Sequence, residues 1–225
     1  MTYCHSISRV SVKVVKKIAQ RITSDELGSL GLHPAVYSYS ATGRFQPTAF
    51  FAQVQLVKHI LREDKVNEFT SIRAQFEDFL VSYKYFINQL ISNYGSNTRG
   101  LSPLFDLYVL IVNEITSGKS NAEVKAIVLS DTRFASRLKE IDPGESTTTA
   151  RFSKDTKAAV RLKTALEAAP RCSICNARYH QNATTIDHAT NVRDGGIGSM
   201  SNGKVTHPYC NHSYKDWLTS QGHPL

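Results

Sequence analysis

Two pairs of soft-metal ligands stand out in the last quarter of the chain: Cys172-x-x-Cys175 and His207-x-x-Cys210. A two-residue gap lets both side chains of a pair reach one tetrahedral ion from a tight turn. Two such pairs complete a Cys3His zinc site with bonds of roughly 2.0–2.3 Å. The loop between them holds little hydrophobic material, so zinc binding would supply folding energy for this segment. The competing reading, small core cysteines and a surface histidine, would suit a lone CxxC better than paired CxxC and HxxC. His180, five residues beyond Cys175, is an awkwardly placed rival to His207. Cys4 stands alone and reads as an incidental thiol. Four cysteines are too few for a disulfide scaffold in 225 residues, and their clustering suits a metal in a reducing compartment.

Between and just after the pairs come Ile186-Asp187-His188, Gly195-Gly196, Asn202 and Asn211. Neutral imidazole is a suitable general base near neutral pH. A carboxylate next to it on a strand points to the opposite face, and an amide oxygen suits a hard cation. The ordered set resembles the HNH endonucleases, the ββα-metal or His-Me finger superfamily. Asp187 to Gly196 spans ten residues and Asn202 precedes His207 by five, as in the usual family motif. Many members carry His where this chain has Asn211. The Asp-His-Asn-Asn pattern is similar to the HNH domain of RNA-guided CRISPR nucleases.

That resemblance implies a metal-dependent endonuclease that hydrolyses DNA phosphodiester bonds, leaving a 5′ phosphate and a 3′ hydroxyl. It implies the catalytic set His188, Asp187, Asn202 and Asn211. His188 would take a proton from water. Asp187 and Asn211 would hold Mg²⁺ or Mn²⁺, with His212 a rival to Asn211 that an α-helix would turn about 100° away. Asn202 would hydrogen-bond loop backbone and so hold His188, while Gly195 and Gly196 would permit a tight loop between two strands. Arg193, Lys204 and Lys215 are candidate phosphate contacts, although each alone also reads as a solvated surface charge.

The elements that must position these residues read as follows. Val14, Val15, Ile18, Ala19 and Ile22 recur at helical spacing, and Ser24 with Leu27 and two glycines suggests a short capped turn. Pro34–Tyr39 alternates like a brief strand before a turn at Ala41-Thr42-Gly43. Pro47 opens a helix with Phe50, Phe51, Val54, Val57, Ile60 and Leu61. One long helix is predicted from Val66 to Asn93, ended by Gly95, and a buried helix over Leu104–Ile115 after Ser102-Pro103. Ser120-Asn121-Ala122-Glu123 is a capping box. Asp142-Pro143-Gly144 marks a break, and a last helix from about Lys154 to Ala169 leads to the cysteines. At helical spacing the aromatics read as core rather than a ligand cage. Trp217 is expected to pack the final helix onto the module.

The predicted fold class is mainly α, with a helical N-terminal domain followed by a small zinc-bound ββα-metal (HNH) module. The expected boundaries are 1–141 for a helical targeting or regulatory domain, 142–153 for a linker and 154–225 for the nuclease module. Charge follows the same division. Residues 151–225 carry 10 Lys/Arg against 5 Asp/Glu, residues 1–150 carry 17 against 14, and the chain totals +8. A basic C-terminal third suits a polyanion such as DNA, and it also suits simple solubility. Four of the eight histidines, His180, His188, His207 and His212, fall between residues 172 and 212.

No apolar run of membrane-spanning length occurs, and the start does not read as a secretory signal, so the expected location is cytoplasmic without a membrane partner. A weaker likeness, carried by GLHPAVYSYSATGRFQPTAFF, FEDFLVSYKYFIN and the Cys-Asn-x-Ser ending, is similar to the C-terminal part of GmrSD-type restriction proteins. It implies an anti-phage restriction effector without the nucleotide-hydrolysing domain, and a regulatory or targeting protein partner. The alternative is a zinc-folded module that binds nucleic acid or a partner without cutting.

Overall fold

A computed structural model describes residues 15–95, 98–140 and 150–223. By its contacts the chain groups into two compact units: residues 34–169, and the segment up to His33 together with the stretch from Pro170 onward. Relative to the boundary expected at 142–153, the contacts place the 154–167 helix with the helical unit. They place residues 15–33 with the cysteine-bearing one. Most of the expected linker, like Cys4 and Val14, lies outside the described residues.

Within the helical unit the elements are α2 (Pro34–Tyr37), α3 (Pro47–Arg62), α4 (Val66–Ser82), α5 (Lys84–Tyr94), α6 (Thr98–Thr116), α7 (Asn121–Ser130) and α8 (Lys154–Glu167). Pro47 begins α3 as its sequence suggests, since a helix's first N–H groups have no intrahelical acceptor to lose. Ser120 caps α7 as predicted: its hydroxyl accepts from the Glu123 amide, and the Glu123 carboxylate accepts from the Ser120 amide at 2.8 Å. The most central helix is α6, which packs on α3, α4, α5 and α7 with Leu104, Leu107, Tyr108, Ile111 and Ile115 buried. It starts a turn before the Ser102-Pro103 signal and carries Pro103 inside it.

Two expectations are corrected here. Pro34–Tyr37 is a helical turn, not a strand: Ser38 N–H donates to Pro34 O at 2.8 Å, four residues back, which is the helical bond. Only the pair Tyr39 and Phe45 bridges across the 41–43 turn. The long helix expected over 66–93 is broken at Tyr83, whose φ of −116° and ψ of 36° leave the helical region. The break turns Lys84 inward, where its ammonium donates to the Val36 carbonyl at 2.7 Å. Tyr83 then stacks on Phe86, with ring centroids 5.7 Å apart. Apolar periodicity runs unbroken through the site, so no glycine or proline announces the break.

The core of this unit is aromatic, with Phe69, Phe76, Phe79, Phe86 and Tyr108 buried. Inside it lies the wholly buried pair Arg73–Glu77, at 2.8 Å, whose carboxylate also accepts the Tyr37 hydroxyl at 3.1 Å. These are core residues, as read from their spacing. Among the described residues no helix is long and apolar enough to cross a membrane.

The second unit begins with helical residues 15–22, here α1. Among the described residues it further contains β1 (Thr185–His188), short 3-10 turns at Val192–Asp194 and Met200–Asn202, β2 (Gly203–Thr206) and the short α9 (Lys215–Ser220). Between β2 and α9 runs a wide π-type turn over Cys210–Tyr214. The two strands pair antiparallel, with Asp187 opposite Lys204 and His188 opposite Gly203. The 210–214 turn packs on β1. Trp217 stacks on Tyr214 at 5.5 Å between ring centroids.

Candidate metal centre and strand-loop site

The four predicted zinc ligands converge. The ligand atoms of Cys172, Cys175, His207 and Cys210 all lie within 4.8 Å of one another, and all four residues are buried. His207 Nδ1 is 3.4 Å from Cys175 Sγ and 3.7 Å from Cys210 Sγ. A tetrahedron with zinc–ligand bonds of roughly 2.0–2.3 Å has S···N edges of about 3.6 Å, so the spacing matches a zinc-sized ion. The group could therefore hold a metal such as zinc. His180 is not one of the four; its ring makes an edge contact with His33 instead.

Local backbone explains the convergence. The Cys172–Cys175 turn closes through Asn176 N–H to Cys172 O and Cys172 N–H to Ala177 O, both 2.9 Å, with Asn176 in the left-handed region at φ 57°. Ser173 N–H donates to Val205 O at 3.1 Å, which ties this knuckle to β2. His207 Nε2 faces the Arg178 carbonyl at 3.1 Å, so its proton sits there and Nδ1 is turned to the sulfurs.

The mutual proximity of the buried sulfurs suits a cation. Contacts from Cys175 and Cys210 hold Cys172 far below the usual thiol range. The reverse contacts, with burial, push Cys210 well above it. Neighbouring sulfurs that cannot all ionise alone can do so around a divalent ion.

One part of this centre was not legible as such: the segment Gly28–His33. Tyr209 N–H donates to Ser29 O at 3.0 Å, and Leu30 and Leu32 are buried. Gly31 has a φ of 60°, and a Cβ there would lie 2.6 Å from His207 Cδ2 and 2.9 Å from the Ala183 carbonyl. Only glycine lets this strap pass against the histidine. The signal in the sequence is the pair Gly28 and Gly31 around Ser29-Leu30, a pattern that by itself specifies no more than a turn.

Asp187 and His188 occupy successive positions of β1, Asp187 half-buried and His188 exposed. Gly203 faces His188 across the ladder, so no cross-strand side chain covers the imidazole. Asn202 grips the loop that leaves β1. Its Oδ1 accepts from Thr190 N–H at 2.7 Å, and its Nδ2 donates to Thr190 O at 3.1 Å and Ile197 O at 2.9 Å. Its own carbonyl accepts from Ala189 N–H at 2.8 Å. In the same loop Gly195 sits at φ 88°, and a Cβ on Gly196 would fall 1.8 Å from the Thr190 carbonyl.

Asn211 lies in the π-type turn, whose wider winding replaces the α-helix assumed from sequence. The structure places Asp187 and Asn211 around a shared point. Lys215 Nζ donates to Asp187 Oδ1 at 2.9 Å and to Asn211 Oδ1 at 2.8 Å. Asp187 Oδ1 also accepts from the His188 amide at 2.9 Å. His212 is exposed. Of the three candidate phosphate contacts, Lys204 is exposed on β2 and Arg193 is exposed beside Asp194, 3.7 Å away, whereas Lys215 is turned inward. The chain matches no family model, no curated protein and no solved structure.

Proposed function

We propose that the second unit is an HNH-type nuclease module that hydrolyses DNA phosphodiester bonds with a divalent cation, folded around a Cys3His zinc site. The observation that carries this reading is the convergence of Asp187 Oδ1 and Asn211 Oδ1 on one cation, the Lys215 ammonium, with the exposed His188 the next residue along β1. Two oxygens that already share a cation are suited to Mg²⁺ or Mn²⁺, which are hard ions with oxygen ligands.

A cation held there would offset the charge that builds on the phosphoryl and departing 3′ oxygens. His188, open to solvent, takes the proton of an attacking water as general base. Asn202 positions rather than reacts: by holding both backbone groups of Thr190 it fixes the chain two residues past the base. The zinc cluster takes no part in chemistry and fixes β2 and the 210–214 turn through His207 and Cys210. Within this reading the sequence likeness to GmrSD-type proteins favours a role in restriction of phage DNA.

The decisive experiment incubates zinc-loaded protein with supercoiled plasmid and Mg²⁺ or Mn²⁺, beside His188→Ala. Nicking by the parent and none by the variant is expected. DNA binding without cutting by either protein points instead to the non-catalytic zinc-folded module.

A further inference from the structure

The lysine between Asp187 and Asn211 is not placed as a surface charge usually is. Its ammonium spends two of its three protons on the two oxygens that the nuclease reading assigns to the cation. The side chain is 27% exposed and that of Asp187 18%, so both charges are largely withdrawn from water. Lys215 is rooted four residues past Asn211, just beyond the π-type turn, and its stem has four rotatable carbons. The chain thus carries its own cation for the site, on a tether long enough to leave it.

We propose that Lys215 is a built-in competitor for the divalent ion: its ammonium closes the Asp187–Asn211 pair in the metal-free protein and must swing out before a divalent cation can load. This rests on the reading of Asp187 and Asn211 as cation ligands. A divalent ion bridging these same two oxygens would take the position the ammonium holds, and two cations at that range repel, so the bonds to Lys215 are lost when the ion enters. Their loss lowers the apparent affinity for the ion and sets a threshold concentration for loading. The ammonium also shields Asp187 from facing Asn211 and the backbone as an uncompensated charge, which keeps the site formed while it waits. A restriction-type nuclease gains from such a threshold, since its site stays closed at low free metal.

The test is direct binding of Mn²⁺ to zinc-loaded protein, followed by the paramagnetic resonance signal of free Mn²⁺, with no DNA present. Lys215→Met and Lys215→Ala should each bind Mn²⁺ at least about tenfold more tightly than the parent, which is about 1.4 kcal/mol. Adding Asp187→Asn to either should abolish that binding. Neither substitution adds bulk to the site, and zinc content with circular dichroism confirms that both lysine variants fold. Equal or weaker Mn²⁺ binding by both lysine variants, with the site still dependent on Asp187, overturns the proposal and leaves the cation site standing. No Asp187-dependent site in any of the proteins overturns both. Independently, the Lys215 ammonium should give a slowly exchanging ¹⁵N resonance in metal-free protein that is lost at saturating Mg²⁺; a resonance unmoved by Mg²⁺ also overturns it.

Discussion

The Nε2 of His207 lies 3.1 Å from the carbonyl oxygen of Arg178, and this bond decides which ring nitrogen meets the three sulfurs. A ligand histidine held this way loses less orientational freedom on binding metal. The four ligands also join the Cys172–Cys175 knuckle to the end of β2 and the start of the 210–214 turn. Removing one ligand should therefore undo the unit rather than loosen a corner. Cys172→Ser and Cys210→Ser are expected to lose bound zinc and the protease resistance of the region after Pro170. Structural zinc contributes about 10–16 kcal/mol in small modules, more than this one could replace. His188→Ala and Asn211→Ala should keep both zinc and fold, as elemental analysis and limited proteolysis would show.

Gly31 tests the strap that crosses the same centre. A methyl group there meets His207 Cδ2 at 2.6 Å and the Ala183 carbonyl at 2.9 Å, on a backbone at φ 60°. Gly31→Ala is expected to destabilise the unit by about 2 kcal/mol or more, combining backbone strain with overpacking. Chelator challenge should strip zinc from this variant faster than from the parent. Equal zinc-loss rates would show that the strap does not brace the histidine.

On the proposed nuclease reading, His188→Ala should cut plasmid nicking by about 10²–10⁴-fold, the usual contribution of a general base. Asp187→Ala should lose activity and its dependence on Mg²⁺ concentration together. Nicking by His188→Ala at the parent's rate would remove the imidazole from the chemistry.

Asn202 offers a sharper distinction. Both ends of its amide are used, the oxygen accepting from Thr190 and the nitrogen donating to Thr190 and Ile197. Asn202→Asp keeps the acceptor but points a carboxylate at two carbonyls, so it should be at least as damaging as Asn202→Ala. Either should lower the turnover of the nicking reaction at least tenfold with zinc retained. The Thr190 amide should exchange with solvent faster in both. Full activity in Asn202→Asp would mean that the loop does not depend on this grip.

How much of this was readable in advance follows residue type. The Cys3His cluster was legible because metal ligation needs few residue types at short spacing, and the Ser120–Glu123 cap because its bonds are local. The break at Tyr83 was not, because Phe79, Phe86 and their neighbours continue the apolar rhythm on both sides of it. Nor was the inward turn of Lys215. Sequence marks it as one of several basic residues, while the π-type winding at 210–214, a tertiary matter, aims it at Asp187. Gly31 carried a visible letter whose reason lies 176 positions later, at His207.

The helical unit supplies a prediction that is independent of any activity. Lys84 is 5% exposed, and burial pushes its ammonium down to about 7 from an ordinary 10.5, with the Val36 carbonyl accepting one of its protons. The unfolded chain keeps the higher value, so between about pH 7 and 10.5 it binds more protons than the folded one. Stability from this group therefore rises with pH across that window; it is complete above the unfolded value and lost as pH falls through the folded one. The slope approaches about 1.4 kcal/mol per pH unit at most. Lys84→Met removes the titration and keeps the stem. Urea midpoints measured from pH 6.5 to 9.5 should show the parent gaining on the variant as pH rises. Thiols and tyrosines titrate in both proteins and cancel in the difference. Parallel curves would mean that Lys84 reaches water, or a carboxylate, in the folded protein.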